Sequence, residues 1–432
     1  MKLLLLSMNF SPELTGIGKY SGEMAQGLVD RGHEVTVVCA PAYYPAWRVG
    51  PGTSGYSIER PRPGLVIYRC PLWVPRRPSA VRRLVHQASF ALASLPVLLW
   101  LALRQRPAVV FAVAPATFCA PAAWLAARLA GARAWLHVQD LELDAAFALG
   151  FLRGRTLQRA CLAAERTLMR GFDHVSTISR RMLRQLACKG VDLSRASLVP
   201  NWVDLDTVRP SRDDAGAAAL RAELGIAATQ KVALFAGTMN RKQGLGVLLD
   251  AATQLQARGD IVFVLCGAGE MRPGLQAAAA GLPNVRFLDL QPIERLGALL
   301  AMADVHLLPQ LPGAADLVLP SKLGGMLASG RPVIAAADPG SEIAAIVQHC
   351  GARVTPESAA SFCEALVALC DDDRRRRDLG AAARCLAQGT LGGAGVLDRL
   401  SVDLRALAQG GALPQFPPQA QARAQVQAQA QR

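Results

Sequence analysis

Short apolar runs alternate along the chain with longer stretches in which apolar residues recur every three or four positions. Such alternation predicts buried strands separated by helices, that is, βαβ units with parallel sheets. In the first half, the predicted strands are Leu3–Ser7, Glu34–Ala40, Val66–Cys70, Val109–Ala114, Ala134–Val138, His174–Ile178 and Leu198–Pro200. After a connector at about residues 200–212, they are Val232–Gly237, Ile261–Gly267, Val285–Leu288, Val305–Pro309, Pro332–Ala336 and Arg353–Thr355.

The restart of the pattern predicts two doubly wound α/β domains, at residues 1–203 and 204–390. A C-terminal helix is expected at 391–412, followed by a Pro/Gln/Ala-rich tail at 413–432 that we exclude from the fold. In doubly wound sheets, ligands bind beyond the carboxyl ends of the strands, and the cleft between two such domains is the default site.

Composition narrows the partners only partly. The 432 residues are 51% hydrophobic and carry a formal charge of +14, which fits nucleic acid, an anionic membrane or acidic substrates. The ten cysteines include no C-x-x-C pair and no cluster with histidine at zinc spacing, so neither a metal site nor a disulfide framework is expected.

One segment is apolar enough to concern a membrane. Ala88–Leu103 holds no charge, but it has 16 residues where a span needs about 20, and Pro96 lies in its middle. Arg82 and Arg83 precede it, and Arg104 and Arg106 follow it. Two interpretations remain open: a helix lying on an anionic membrane face, and a core helix packed on a sheet.

Three glycine turns follow predicted strands. Gly16 and Gly18 follow the first strand of the chain, where a helix begins. Glycines let the backbone approach a ligand closely, and a helix N-terminus offers N–H groups to an anion, although a tight turn alone also explains them. Two further turns lie in the second half and contain Gly237, with the adjacent cations Arg241 and Lys242, and Gly267 with Gly269. Paired cations beside glycines suit a diphosphate.

Two other clusters carry reactive groups. His137 and Asp140 end a buried strand and are candidates for a general base or for binding a sugar hydroxyl. Ser321 and Lys322 begin a predicted helix and suit phosphate oxygens, while the nearby Asp316 can bind sugar hydroxyls. This last cluster is the hardest to explain by packing.

Together, the motifs GIGKY, RGHEV, PNWVD, AGTMNRKQG, CGAGE and LPSKLGGMLASGRPV resemble GT-B glycosyltransferases of family 4 over roughly residues 1–390, in the expected order. Stretches such as WLHVQDLELDAAFALG are more similar still to the WcaI-type branch, which acts in colanic acid and exopolysaccharide synthesis. The resemblance implies two Rossmann-like domains, the first on the acceptor side and the second binding the donor.

The resemblance also implies a reaction. A sugar passes with retention from a GDP- or UDP-linked donor, GDP-fucose for the WcaI type, to a lipid-linked saccharide at the cytoplasmic face of an anionic membrane. Neither a cofactor nor a metal is expected, and nucleic acid is not expected as a partner. Gly16, Gly18, Arg241, Lys242, Ser321 and Lys322 would meet the diphosphate, with Gly237 on the same loop, and Gly267 and Gly269 would lie by the base.

The chain departs from the family at one point. Family members usually carry an E-x7-E motif whose second Glu binds the ribose, and Gly325 stands at that position here, with Asp316 near the first. Alternatives that the residues leave open are a nucleotide-sugar epimerase of the same fold and a non-catalytic basic protein that binds membrane or nucleic acid.

Overall fold

The computed structural model describes residues 1–13, 16–50, 52, 55–76, 80–114, 118–141, 154–210, 215–312 and 320–411, apart from the side chains of residues 80, 155, 157 and 242. The chain forms two compact units. Met1–Pro200 makes the N-terminal unit, which the chain rejoins from Ala394, and Asn201–Gly393 makes the C-terminal unit.

The N-terminal unit is built on an eight-stranded sheet in the order β3-β4-β2-β1-β5-β6-β7-β8. Its strands are β1 (Lys2–Ser7), β2 (Glu34–Cys39), β3 (Ser57–Arg62), β4 (Leu65–Arg69), β5 (Val109–Ala114), β6 (Arg133–Val138), β7 (His174–Thr177) and β8 (Ala196–Leu198). Its helices up to residue 200 are α1 (Gly16–Asp30), α2 (Ala80–Gln105), α3 (Ala120–Ala130), α4 (Arg155–Gly171) and α5 (Arg180–Cys188). Neighbouring strands are parallel except β3 and β4.

The C-terminal unit has a six-stranded parallel sheet in the order β11-β10-β9-β12-β13-β14. Its elements are α6 (Ala215–Glu223), β9 (Lys231–Ala236), α7 (Gly246–Gln254), β10 (Ile261–Cys266), α8 (Arg272–Ala278), β11 (Val285–Leu288), α9 (Leu296–Ala301), β12 (Val305–Leu308), α10 (Lys322–Ala328), β13 (Val333–Ala336), α11 (Glu342–Cys350), β14 (Gly351–Val354), α12 (Ala359–Cys370) and α13 (Asp373–Thr390). Apolar cores cover both faces of this sheet.

The predicted alternation of strands and helices is therefore confirmed, with three differences. The edge strand β3 was not predicted, β8 lies two residues earlier than Leu198–Pro200, and β14 begins at Gly351 rather than Arg353. β3 has the sequence SIERPR and is almost entirely exposed. An exposed edge strand lacks the apolar run by which buried strands are recognised, and an edge also tolerates a proline.

The last helix, α14 (Gly393–Ala408), packs on the N-terminal unit. Nε2 of His33 lies 2.7 Å from Oγ of Ser401, and the Arg31 guanidinium pairs with Asp398 at 2.8 Å. Leu397 lies so close to Gly27 of α1 that a Cβ on this glycine would meet it at 2.6 Å. Helix α14 thus completes the N-terminal unit.

Helix α2 contains the apolar segment Ala88–Leu103, for which the sequence left a membrane-surface helix and a core helix open. Val81–Gln105 is long and apolar enough to cross a membrane by length and composition. Phe90, Leu98 and Leu101 are buried in the unit, so the core-helix interpretation holds for one face. Leu92 and Trp100, on the opposite face, are exposed. The helix is apolar on both faces.

Candidate active site

At the carboxyl ends of β9 and β10, two glycine turns are pressed together backbone to backbone. Met239 donates its N–H to the carbonyl oxygen of Ala268 at 2.8 Å, and Gly237 donates to that of Cys266 at 3.0 Å. A Cβ on Gly267 would lie 1.9 Å from the Gly237 oxygen, and one on Gly269 would lie 2.3 Å from the Met239 oxygen. Both glycines also have positive φ, 143° and 153°. Glycine is therefore required at both positions.

The half-buried side chain of Lys322 lies beside these turns. Nζ of Lys322 is 2.6 Å from Oε1 of Gln243 and 4.2 Å from the centre of the Phe235 ring. A Cβ on Gly237 would be 3.5 Å from the same nitrogen, so the Lys322 side chain reaches the turn after β9. Burial lowers the pKa of Lys322 to about 7. A half-buried cation with a single neutral oxygen partner among the described side chains is prepared to pair with an anion.

Arg272 holds the second turn in place. One guanidinium nitrogen donates to the Gly267 carbonyl oxygen at 2.7 Å, and the other pairs with the Asp289 carboxylate at 2.5 Å. The arginine therefore links the end of β10 to the segment that follows β11. Its charge is already balanced by Asp289, so we assign it to the loop rather than to a ligand.

The other site residues predicted in the C-terminal unit are exposed, lie outside the described residues or face a neighbouring helix. Arg241 and Ser321 are exposed, and Ser321 directly precedes Lys322. The side chain of Lys242 and all of Asp316 lie outside the described residues. Gly325 is on α10, where a Cβ would meet Leu300 of α9 at 3.2 Å. A glutamate at this position would press against an apolar side chain, which fits the absence of the family's second Glu.

The glycine turn of the N-terminal unit differs in charge. Gly16 has a positive φ of 60°, and no atom of the described residues lies within 4 Å of a Cβ placed on it. A Cβ on Gly18, in contrast, would lie 2.5 Å from Oε2 of Glu13. The buried Glu13 carboxylate accepts hydrogen bonds from the backbone N–H groups of Tyr43 and Tyr44 at 3.1 and 3.0 Å. Burial raises the pKa of Glu13. A carboxylate under the turn disfavours a diphosphate at Gly18.

The structure places His137 in the sheet interior. Its Nδ1 lies 2.9 Å from Oγ of Ser176 on the neighbouring strand β7, and burial lowers its pKa to about 3. This is the environment of a histidine that packs in the core. Asp140 follows β6 and is partly buried.

Sequence reasoning missed Glu13, Phe235 and Gln243. Nothing in the sequence joins Gln243 to Lys322, because 79 residues separate them. Glu13 follows a proline in a short turn and has no motif of its own. Phe235 belongs to an apolar strand. The sequence of such a strand does not distinguish a phenylalanine that only fills the core from one whose ring lies against a cation.

Comparison with known proteins decides the family. Residues 15–202 match the family described as Glycosyl transferase 4-like domain, and residues 230–372 match Glycosyl transferases group 1. The chain is 38% identical over 413 residues to WcaI of Escherichia coli (strain K12), a name that assigns this relative to colanic acid biosynthesis as a glycosyl transferase. The alignment covers 94% of this chain and 100% of the relative. The chain belongs to glycosyltransferase family 4.

Solved structures support the fold of this transferase. Sucrose-phosphate synthase from Thermosynechococcus elongatus matches with a TM-score of 0.74 at 17% identity, covering 95% of this chain and 100% of that one. HepE of Anabaena, solved with UDP-glucose, matches with a TM-score of 0.65 at 16% identity, covering 94% and 100%. Both confirm the GT-B fold that the sequence motifs indicated.

Proposed function

We propose that the enzyme transfers a sugar from a nucleotide diphosphate sugar, with GDP-fucose as the first candidate, to a lipid-linked saccharide in exopolysaccharide synthesis of the colanic acid type. The observation that carries the donor half is the half-buried ammonium of Lys322 at the glycine turns of the C-terminal unit. The name of the WcaI relative supports the colanic acid pathway, and HepE supports a nucleotide sugar as donor.

The chemistry of the reaction explains why a cation is needed. The bond between the sugar's anomeric carbon and the diphosphate breaks, and negative charge develops on the diphosphate. The oxygen of the acceptor hydroxyl joins the anomeric carbon, and its proton passes to the departing diphosphate. A fixed positive charge at the leaving group stabilises the transition state more than the ground state. In the unliganded enzyme, Gln243 holds the ammonium, and we expect a phosphate oxygen to replace this neutral partner. Arg241, exposed on the turn after β9, adds charge from the solvent side.

We also propose that the enzyme binds the cytoplasmic face of an anionic membrane through α2. Its outer face presents Val85, Leu92, Trp100 and Leu103, all exposed. Arg82, Arg83 and Arg104 are exposed at its two ends. Because the inner face packs into the unit, the helix would lie in the interface rather than cross the bilayer. Arginines at the ends suit anionic headgroups.

The test is a transfer assay with the full-length enzyme, a panel of GDP- and UDP-sugars, and lipid-linked saccharides, with products detected by mass. We expect a labelled lipid product from at least one donor, and we expect Lys322→Ala to weaken nucleotide binding about 10- to 100-fold. Absence of transfer with every donor, together with unchanged nucleotide binding in Lys322→Ala, would contradict the proposal. Conversion of a nucleotide sugar without any acceptor would instead favour the epimerase.

A further inference from the structure

A group of aromatic side chains lies at the carboxyl edge of the N-terminal sheet. We call Tyr43, Tyr44, Trp47, Trp73 and His86 the aromatic cluster. The first three follow β2, Trp73 follows β4, and His86 is in the second turn of α2. Ring centres are 4.7 Å apart for Tyr43 and His86, 5.5 Å for Trp47 and His86, and 5.8 Å for Tyr43 and Trp47. This edge is where doubly wound sheets bind ligands.

Part of the cluster faces solvent. Tyr44 is 41% exposed and Trp73 is 46% exposed, which is unusual for large aromatic rings beside a buried core. Trp47 has a φ of 50°, a left-handed conformation that a bulky residue seldom adopts. Such strain persists only where the surroundings hold it, and it concentrates at binding sites.

The loop that carries these rings is fixed from beneath. Glu13 accepts the N–H groups of both Tyr43 and Tyr44, and its other oxygen accepts the Asn9 amide at 2.9 Å. The Tyr43 hydroxyl lies 3.1 Å from the same amide nitrogen. A loop tied at three points is pre-organised, so binding to it would cost little ordering entropy.

His86 gives evidence for a ligand that does not depend on the exposure of Tyr44 and Trp73. Its side chain is only 2% exposed, and Nδ1 lies 2.6 Å from the Trp73 carbonyl oxygen, so Nδ1 carries the proton. Nε2 is then an acceptor, and it has no hydrogen-bond partner among the described residues. Burial lowers the pKa of His86, which favours this neutral form. A buried acceptor without a donor is costly unless something supplies one.

Cations adjoin the cluster on the same helix. The Arg83 guanidinium carbon lies 5.4 Å from the centre of the Trp47 ring, one turn before His86. Arg82 precedes it, and the apolar outer face of α2 continues from Val85 to Leu103. Rings, a neutral acceptor, cations and an apolar face therefore follow one another along about 30 Å of helix and loop.

We propose that the aromatic cluster binds the terminal sugar of the lipid-linked acceptor. The apolar C–H face of a sugar ring packs on Trp47 or Trp73, and a sugar hydroxyl donates a hydrogen bond to Nε2 of His86. Arg83 then meets the acceptor's phosphate, and its lipid lies along α2. This inference rests on the proposed function, because it assigns the acceptor half of that reaction to named residues.

The test uses steady-state kinetics with saturating donor and a saccharide diphosphate acceptor that carries a short, water-soluble chain. We expect Trp73→Ala and Tyr44→Ala each to raise the acceptor KM about tenfold while the donor KM stays unchanged, and Trp73→Phe to restore part of the loss. Leu129→Ala is the matched control, since Leu129 is 51% exposed near the end of α3, which leads into the amino end of β6. We expect this variant to keep the native KM for the soluble acceptor.

An unchanged acceptor KM in both variants overturns the proposal, as does an equal loss in Leu129→Ala. The melting temperature checks that the exposed substitutions leave the fold intact. If the native enzyme transfers no sugar at all, the proposed function fails, and equilibrium binding of the same saccharide diphosphate decides the site. Binding by the native protein that is lost in Trp73→Ala supports the site, and absence of native binding contradicts it.

Discussion

The two units share a sheet architecture but place opposite chemistry at its carboxyl edge. In the C-terminal unit, the glycine turns adjoin the half-buried cation of Lys322. In the N-terminal unit, the glycine turn covers the buried carboxyl of Glu13, with exposed aromatic rings beside it. A diphosphate suits the first edge and is disfavoured at the second, whereas a sugar ring suits the second. The same motif, a glycine turn after a strand, thus has different uses according to the charge beneath it.

The largest effect that separates the two turns concerns stability. We expect Gly267→Ala to lower the free energy of unfolding by about 3 kcal/mol, because the new Cβ meets a backbone oxygen and the backbone is strained. Gly16→Ala is the matched variant: its φ is positive, but no atom of the described residues lies within 4 Å of the new Cβ. We expect it to cost about 1 kcal/mol. Urea unfolding measures both, and equal losses would contradict the close packing of the donor turns.

Lys322 gives the second prediction. We expect Lys322→Ala to weaken GDP binding about 10- to 100-fold, since a hydrogen bond from a charged group to the diphosphate is lost. Lys231→Ala is the control, because Lys231 begins β9 at the opposite end of the strand and pairs with Asp373 at 3.2 Å. Titration calorimetry measures both dissociation constants. Similar losses in the two variants would show only a general effect of charge.

The glycine turns and the surroundings of Lys322 were predictable from the sequence to different degrees. Parallel strands are buried on both faces, so continuous apolar runs located nearly all of them, and glycines after such runs marked the turns. The partner of Lys322 was not predictable, because folding brings together residues 79 positions apart. His137 shows the opposite problem. β6 is buried on both faces, so its pattern cannot tell a histidine that packs inside the sheet from one that faces a ligand.

The third prediction concerns the proposed membrane face of α2, which belongs to the N-terminal unit. We expect Leu92→Asp to weaken binding to vesicles containing anionic lipid about tenfold, because Leu92 is 72% exposed on the outer face of α2 and would enter the interface. Val402→Asp is the control on α14, where Val402 is 57% exposed. Vesicle flotation compares the two variants. Equal flotation of Leu92→Asp and the native enzyme would show that α2 does not form the membrane-binding face.

The smallest expected effect is the pH dependence of GDP binding at the carboxyl edge of the C-terminal sheet. With the pKa of Lys322 near 7 when unliganded and higher beside a diphosphate, binding takes up a proton above pH 7. The dissociation constant of GDP should therefore rise about fivefold from pH 7 to pH 8. Lys322→Arg should flatten this dependence, because arginine stays charged. An identical pH profile in the native enzyme and this variant would assign the dependence to another group.

The division of the two edges is tested most directly by hydrogen exchange of backbone amides with and without GDP. The account predicts slower exchange in Gly237–Gly244, Gly267–Glu270 and the start of α10, with no change in Gly16–Lys19 or in the loop of Tyr43 and Tyr44. Slower exchange at Gly16–Lys19, with the turns after β9 and β10 unaffected, would contradict it.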